Sequence, residues 1–243
     1  MSFPIKGFLE TSFVDWPGKI ASVIFLPHCN FRCPYCHNHE LVLAPDQIPT
    51  IPLPHILKHI KKYKDWIDGV CITGGEPTLL PDLIELIEYI RNEGVLVKLD
   101  TNGSRPEVLK RLIQKRVVDY IAMDVKAPLN DESYAACCGV SVDLGTIKES
   151  IRLLRENQTA YEFRVTLVPT LLTRESLTSL AHDLTGSEKL TLQNFNPAHP
   201  LDPALKQVKP YEDHALKEMQ EEVNHILQGK RKPENKPFLS SHG

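Results

Sequence analysis

Short apolar, β-branched runs alternate with amphipathic stretches from residue 20 to about residue 197, and this alternation most narrows the fold. "IASVIFLP" (20–27), "GVCITG" (69–74), "VLVKLD" (95–100), "VVDYIAMDVK" (117–126), "YEFRVTLVP" (161–169) and "KLTLQNFNP" (189–197) read as strands. Between them, "LPHILKHIKKYKDWI" (53–67), "LPDLIELIEYIRNEG" (80–94), "RPEVLKRLIQKR" (105–116), "LGTIKESIRLLREN" (144–157) and "TRESLTSLAHDL" (173–184) place apolar residues at helical spacing. Strands separated by helices predict parallel pairing through crossovers. Six such units suit an open doubly wound sheet or an incomplete barrel. After residue 197 the chain changes: 198–210 is proline-rich, 211–228 reads as an exposed amphipathic helix, and the last fifteen residues form a polar tail expected to be mobile. The expected division is therefore 1–200 for the α/β body and 201–243 for the segment, helix and tail.

The 243 residues are enough for one domain with a sizeable core. A net charge of −3 gives no global pull toward nucleic acid or an anionic membrane. The longest apolar runs, such as 20–27 and 117–123, fall well short of the ~20 residues needed to span a bilayer. Residues 1–10 hold one lysine and no apolar core of a signal peptide, so the expected location is the cytoplasm, with no membrane and no nucleic-acid partner. Thiols stay reduced there, which turns six cysteines away from disulfides and toward metal or cluster binding. Cys71 lies in a strand-like run and Cys137 adjoins Cys138, so these three read as structural.

The unusual residues each follow a strand, where ligands of parallel α/β proteins bind. After the first strand comes "HCNFRCPYCHN" (28–38), with Cys29, Cys33 and Cys36. Four protein ligands close a structural site, whereas three leave a position open for a reactant. Zinc also remains open, since His28, His37 or His39 could complete a Cys3His set. Tyr35 is suited to lie against a flat ligand. "TGGEP" (73–77) offers Gly74 and Gly75, which permit close backbone approach or merely a turn, and Glu76, an acceptor for an ammonium group. Asp100, Thr101 and Asn102, then Asp124 and Lys126, add a ribose-sized set of donors and acceptors and an oxygen-lined cation site.

CxxxCxxC with Tyr35, followed on the next strand by Gly74-Gly75-Glu76-Pro77, resembles the radical S-adenosylmethionine enzymes, over about residues 11–199. The resemblance implies an α/β fold, an incomplete (β/α)6 barrel of parallel strands (a partial TIM barrel), holding a [4Fe–4S] cluster on Cys29, Cys33 and Cys36. S-Adenosylmethionine would chelate the fourth iron, and reductive cleavage would give a 5′-deoxyadenosyl radical that abstracts hydrogen. "SFVDWPGKIASVIFLPHCNFRCPYCHN" (12–38), "LDTNG" (99–103) and "MDVK" (123–126) are most similar to the activating enzymes of glycyl-radical proteins. Trp16 in "VDWPG" is similar to the branch that activates anaerobic ribonucleotide reductase. Carried over, Tyr35 contacts adenine, Gly74, Gly75 and Glu76 the methionine amine, and Asn102 and Lys126 the ribose or carboxylate. Asp100, Thr101 and Asp124 hold a monovalent cation, while Arg164 and His199 contact carboxylate and ribose or adenine. The implied partners are a glycyl-radical enzyme, anaerobic ribonucleotide reductase first and pyruvate formate-lyase as alternative, and a flavodoxin or ferredoxin as electron donor. Asp15, Trp16 and the 197–203 loop are expected to touch the partner. A radical enzyme acting on a small molecule or RNA shares the same cofactor residues.

Overall fold

The computed structural model describes residues 3–229, so the expectation of a mobile tail falls on residues 230–243, outside the described part. Seven strands form one sheet in sequence order: β1 (Gly7–Ser12), β2 (Ala21–Leu26), β3 (Gly69–Gly74), β4 (Leu96–Thr101), β5 (Tyr120–Asp124), β6 (Ala160–Leu167) and β7 (Leu190–Asn194). From β2 to β7 every pairing is parallel. A doubly wound sheet reverses its strand order at a switch point. Here no reversal occurs, and the sheet winds on as a barrel that does not close, with β1 and β7 as its edges.

Eight α-helices accompany the strands among the described residues: α1 (His39–Leu43), α2 (Leu53–Tyr63), α3 (Leu83–Arg91), α4 (Pro106–Lys115), α5 (Asp131–Cys138), α6 (Leu144–Arg155), α7 (Arg174–Asp183) and α8 (Asp213–Gln228). Three elements depart from the sequence reading, the short α1 and, with more consequence, β1 and α5. β1 pairs antiparallel with β2, with its register broken between Leu9 and Ser12. Its residues Leu9, Glu10 and Thr11 are exposed, so no buried alternation marks it as a strand. Helix α5, "DESYAACC", has no apolar periodicity; the Asn130 side chain caps it by accepting from Ser133 N–H, and left-handed Gly139 ends it.

Because successive strand residues point to opposite faces, each inner strand has two chemistries. Outward, Ile72, Leu99, Ile121 and Phe163 join one core with Leu86 and Ile90 of α3, Leu112 of α4 and Ile147 and Leu154 of α6. Inward, the lumen receives Lys98 and Asp100 from β4, Asp124 from β5 and Glu162 and Arg164 from β6. The C-terminal helix docks on the barrel, burying Met219, Val223 and Leu227. Its Gln220 covers the outer edge of β7, accepting from Leu192 N–H at 2.9 Å and donating to the Leu190 carbonyl at 2.8 Å. Among the described residues, no helix is long and apolar enough to cross a membrane.

Trp16 closes the N-terminal end of the barrel. It is 3% exposed, its ring centroid lies 6.1 Å from that of Tyr120, and a Cβ on Gly69 would come within 2.6 Å of it. Gly69 and Tyr120 begin β3 and β5, so Trp16 is a plug at the end opposite the cysteine loop, not a surface for a partner as the sequence suggested. Trp16→Ala is expected to cost about 3–5 kcal/mol, read as a lower urea midpoint; a loss under about 1 kcal/mol would remove Trp16 from this role.

Candidate active site

The loop after β3 is pressed against the start of the cysteine loop. Gly75 N–H donates to the Leu26 carbonyl at 2.8 Å, and Glu76 N–H donates to the His28 carbonyl at 2.7 Å. A Cβ on Gly75 would lie 1.8 Å from the His28 oxygen, and one on Gly74 (φ +116°) would lie 2.4 Å from the Leu26 oxygen. Backbone approach therefore demands both glycines, and the surface they approach is the protein's own chain. Asn38 donates to the Gly74 carbonyl at 2.9 Å and ties the far end of the cysteine loop to the same point. His28 absorbs the turn with φ +64°, a left-handed conformation that costs a non-glycine residue about 1 kcal/mol or more.

Glu76 continues this joint. Its carboxylate is buried and accepts from Thr78 N–H at 3.0 Å, the Thr78 hydroxyl, Thr101 Oγ1 at 2.7 Å and Asn102 N–H at 2.6 Å. Burial pushes its pKa up, and these four donors oppose the shift. Asn102 in turn donates to Asn30 Oδ1 at 2.9 Å and reaches Cys29 Sγ at 3.8 Å. The loops after β2, β3 and β4 are thus joined around one carboxylate.

Below the joint, alternating charges climb the inner face of β4–β6. Lys98 pairs with Asp100, Asp100 with Arg164 at 3.2 Å, Arg164 with Asp124 at 2.8 Å, and Asp124 with Lys126 at 3.0 Å. Burial pushes Asp124 up, but Arg164 and Lys126 outweigh it and hold the carboxyl at about 2. Burial works against the charges of Arg164 and Lys126 as well, yet their carboxylate neighbours keep both firmly protonated. Asp100 and Asp124 are therefore neutralised by the chain's own cations, and Thr101 spends its hydroxyl on Glu76. Asp100, Thr101 and Asp124 do not converge as ligands for a monovalent cation in this arrangement.

Cys29, Cys33 and Cys36 line a cavity of about 440 Å³ together with Tyr35, Gly74, Gly75, Glu76, Asp100, Thr101, Asn102, Asp124, Lys126 and Arg164. Every sequence-predicted site residue lies here except His199, which is exposed and is not part of the lining. Sequence reasoning missed Thr73 and Gln193, whose signal was inward-facing position on β3 and β7, and Asn38, which had none beyond adjacency to the cysteines. Burial raises the Cys29 thiol to about 11 and Cys36 in the same direction. The neighbouring Cys138 thiol lowers Cys33 to about 7, and Arg32 N–H donates to the Cys138 carbonyl at 2.8 Å, so α5 backs the cysteine loop. Cys71, Cys137 and Cys138 are fully buried.

A single zinc ion requires its ligands to meet at about 2.0–2.3 Å from one point. Among the described residues, no three His, Cys, Asp or Glu side chains converge in that way; His28 is exposed, and His37 Nε2 is bonded to the Asn196 carbonyl at 2.7 Å. The donor set, three thiols of one loop in a cavity with polar lining, fits a thiolate-held group with an organic ligand beside it. Tyr35 lines the cavity beside the thiols, and its buried hydroxyl is the one such side-chain polar atom among the described residues without a hydrogen-bond partner.

The Radical SAM superfamily model matches residues 23–184. A Methanocaldococcus jannaschii protein named "Putative glycyl-radical enzyme activating enzyme" is 32% identical over 88% of this chain and 89% of its own length. The pyruvate formate-lyase-activating enzyme of Streptococcus mutans is 31% identical over 67% of this chain and 64% of that protein, and that of Clostridium pasteurianum 26% identical over 77% and 79%. Among solved structures, Streptococcus suis SuiB bound to its precursor peptide SuiA superposes with a TM-score of 0.65 at 14% identity, covering 85% of this chain. This chain spans under half of SuiB, 45%, and the likeness is one of fold.

Two substitutions test the geometry. Gly75→Ala must part the β3 loop from His28, with an expected cost of about 2 kcal/mol or more and loss of iron uptake on reconstitution; uptake unchanged from wild type would show that the close approach is dispensable. Arg164→Met leaves two buried carboxylates without their shared cation, at about 3–5 kcal/mol. An unfolded Asp titrates at about 3.9, whereas Asp124 is held at about 2 in the fold. The stability from this pairing is full above about pH 4 and lost as pH falls toward 2. Urea midpoints in that range should fall steeply for wild type and less steeply for Arg164→Met; parallel curves would refute the pairing.

Proposed function

The chain belongs to the radical SAM superfamily, as one of its glycyl-radical enzyme activating enzymes, and on that premise we propose that it removes a hydrogen atom from a glycine of a partner enzyme. The family implies a [4Fe–4S] cluster and S-adenosylmethionine, which supply reductive cleavage and hydrogen abstraction when bound. The observation that carries the reading is that three thiols on one loop share a cavity with Tyr35 and the Glu76 joint.

In this reading Cys29, Cys33 and Cys36 hold the cluster. Lys126, set by Asp124, offers its ammonium to the carboxylate of the cofactor, and Tyr35, which lines the cavity, turns toward the adenine side. Gly74, Gly75 and Glu76 form the wall toward the methionine amine. Asn102 donates toward Cys29 and the ribose edge, and Asp15 faces the cavity from the plug loop, where it can accept from backbone N–H groups of an entering peptide. A monovalent cation at Asp100, Thr101 and Asp124 would have to displace Arg164 from both carboxylates, and the reading does without it.

For the target we name anaerobic ribonucleotide reductase, supported by the "VDWPG" segment, with pyruvate formate-lyase as the second candidate and a flavodoxin or ferredoxin as electron donor. The test begins with anaerobic reconstitution in iron and sulfide, dithionite reduction with S-adenosylmethionine, and chromatography for 5′-deoxyadenosine. Wild type should produce it, and Cys33→Ala should lose iron and product while keeping its far-ultraviolet circular dichroism. Full cofactor cleavage by Cys33→Ala would contradict the ligand assignment. A glycyl-radical signal by electron paramagnetic resonance in one purified target and not the other would then decide the partner.

A further inference from the structure

We propose that the groove between the β1–β2 loop and the end of α2 is the docking site for the protein whose glycine is attacked, through an apolar segment bearing acidic residues; this rests on the function proposed above. The groove, about 420 Å³, is lined by Phe13, Ile20, His59, Tyr63, Trp66 and Ile67, with Glu10 and Thr11 of β1 along one wall. Phe13 is 73% exposed and Trp66 78%. Single exposed apolar residues are ordinary, but aromatic rings gathered in one concavity are the kind of anchor on which protein interfaces concentrate their energy.

Charge selects the occupant. Lys58, Lys61, Lys62 and Lys64 are exposed along this end of α2 and outnumber the acidic groups beside them, Asp65 and the groove-lining Glu10, whose carboxylate lies 3.9 Å from His59; the Lys62 ammonium lies 4.8 Å from the Tyr63 ring centroid. A basic rim around an apolar floor favours an acidic partner by steering and by contact. Continuity selects the target over an electron carrier. Phe13 and Val14 run directly into Asp15, which lines the catalytic cavity, so one loop joins groove and lumen. An electron carrier seated here would be separated from the cysteine loop by the length of the six-residue β2, ~20 Å. The opening of the barrel also favours this side: α8 covers the β7 edge, whereas among the described residues no strand flanks the outer side of β1.

The experiment uses the full reconstituted chain with purified anaerobic ribonucleotide reductase and pyruvate formate-lyase from the same organism, reading glycyl radical by electron paramagnetic resonance. Phe13→Ser combined with Trp66→Ser should raise KM for the accepted target about tenfold or more at unchanged kcat. Lys61→Glu with Lys62→Glu should raise it less, with the difference from wild type fading as salt is added. Both pairs should make as much 5′-deoxyadenosine as wild type in the absence of target. Unchanged KM in both would overturn the proposal. So would a wild-type dimer, seen by light scattering, that the aromatic pair splits, or slowed reduction by the electron donor at unchanged KM. If wild type cleaves the cofactor but neither target gains a radical, the target assignment fails and this docking site with it; if wild type cleaves nothing, the proposed function fails first.

Discussion

The structure depends on one electrostatic constraint: an open barrel whose inner face is charged must pair every charge on itself. Closed barrels of this kind fill their interior with branched apolar side chains. Here Lys98, Asp100, Arg164, Asp124 and Lys126 alternate in sign from the middle of β4 to the rim of β5. Removing a member strands its neighbour in a poorly solvated lumen, at a cost of several kcal/mol. The same pairing fixes three strands side by side and delivers Lys126 to the cavity with its charge secured. Packing outside the sheet sets the curvature, and the lumen charges set what the curve encloses.

The functional rim rests on a second constraint, the approach of the β3 loop to the cysteine loop. Gly74, Gly75 and the left-handed His28 accept unfavourable or unusual backbone so that Glu76 can gather four donors from two loops. Strain of this kind survives only where surrounding bonds over-determine it. The three thiols inherit that rigidity, because Asn38 ties one end of their loop to Gly74 and Asn30 ties the other to Asn102. Helix α5 adds a third support through Cys138 and Arg32.

Much of this was legible in the sequence, for identifiable reasons. Long apolar periodicity marked the parallel strands and their helices, and the rule that ligands gather at strand C-termini placed Cys29, Cys33, Cys36, Gly74, Glu76, Asn102 and Lys126 together. The charged lumen was written as Lys98 and Asp100 two apart on β4 and Glu162 and Arg164 two apart on β6, a period-2 signal hidden by the apolar residues between them. What escaped lacked a local signal. β1 is exposed at its centre, α5 is held by tertiary contact rather than by an apolar stripe, and the wall against Gly75 comes from a residue 47 positions earlier. His199 follows the last strand as the other site residues follow theirs, but its side chain turns to solvent.

The two edges of the sheet complete the argument. An unclosed sheet leaves two rows of unpaired backbone groups, each of which invites another chain. At β7 the protein answers with its own helix: Gln220 takes both a donor and an acceptor, and Asn194 bonds the backbone of Tyr211 in both directions at 2.7 and 3.2 Å. At β1 no strand among the described residues answers; the break in register at Leu9–Ser12 disrupts the ladder, and Phe13, Val14 and Trp66 stand in solvent beside it. A chain that spends a sixteen-residue helix on one edge and leaves aromatic rings at the other has a closed side and an open side. A target far larger than the cavity can present only a loop to it, and the open side is where such a loop meets the least of the protein's own structure.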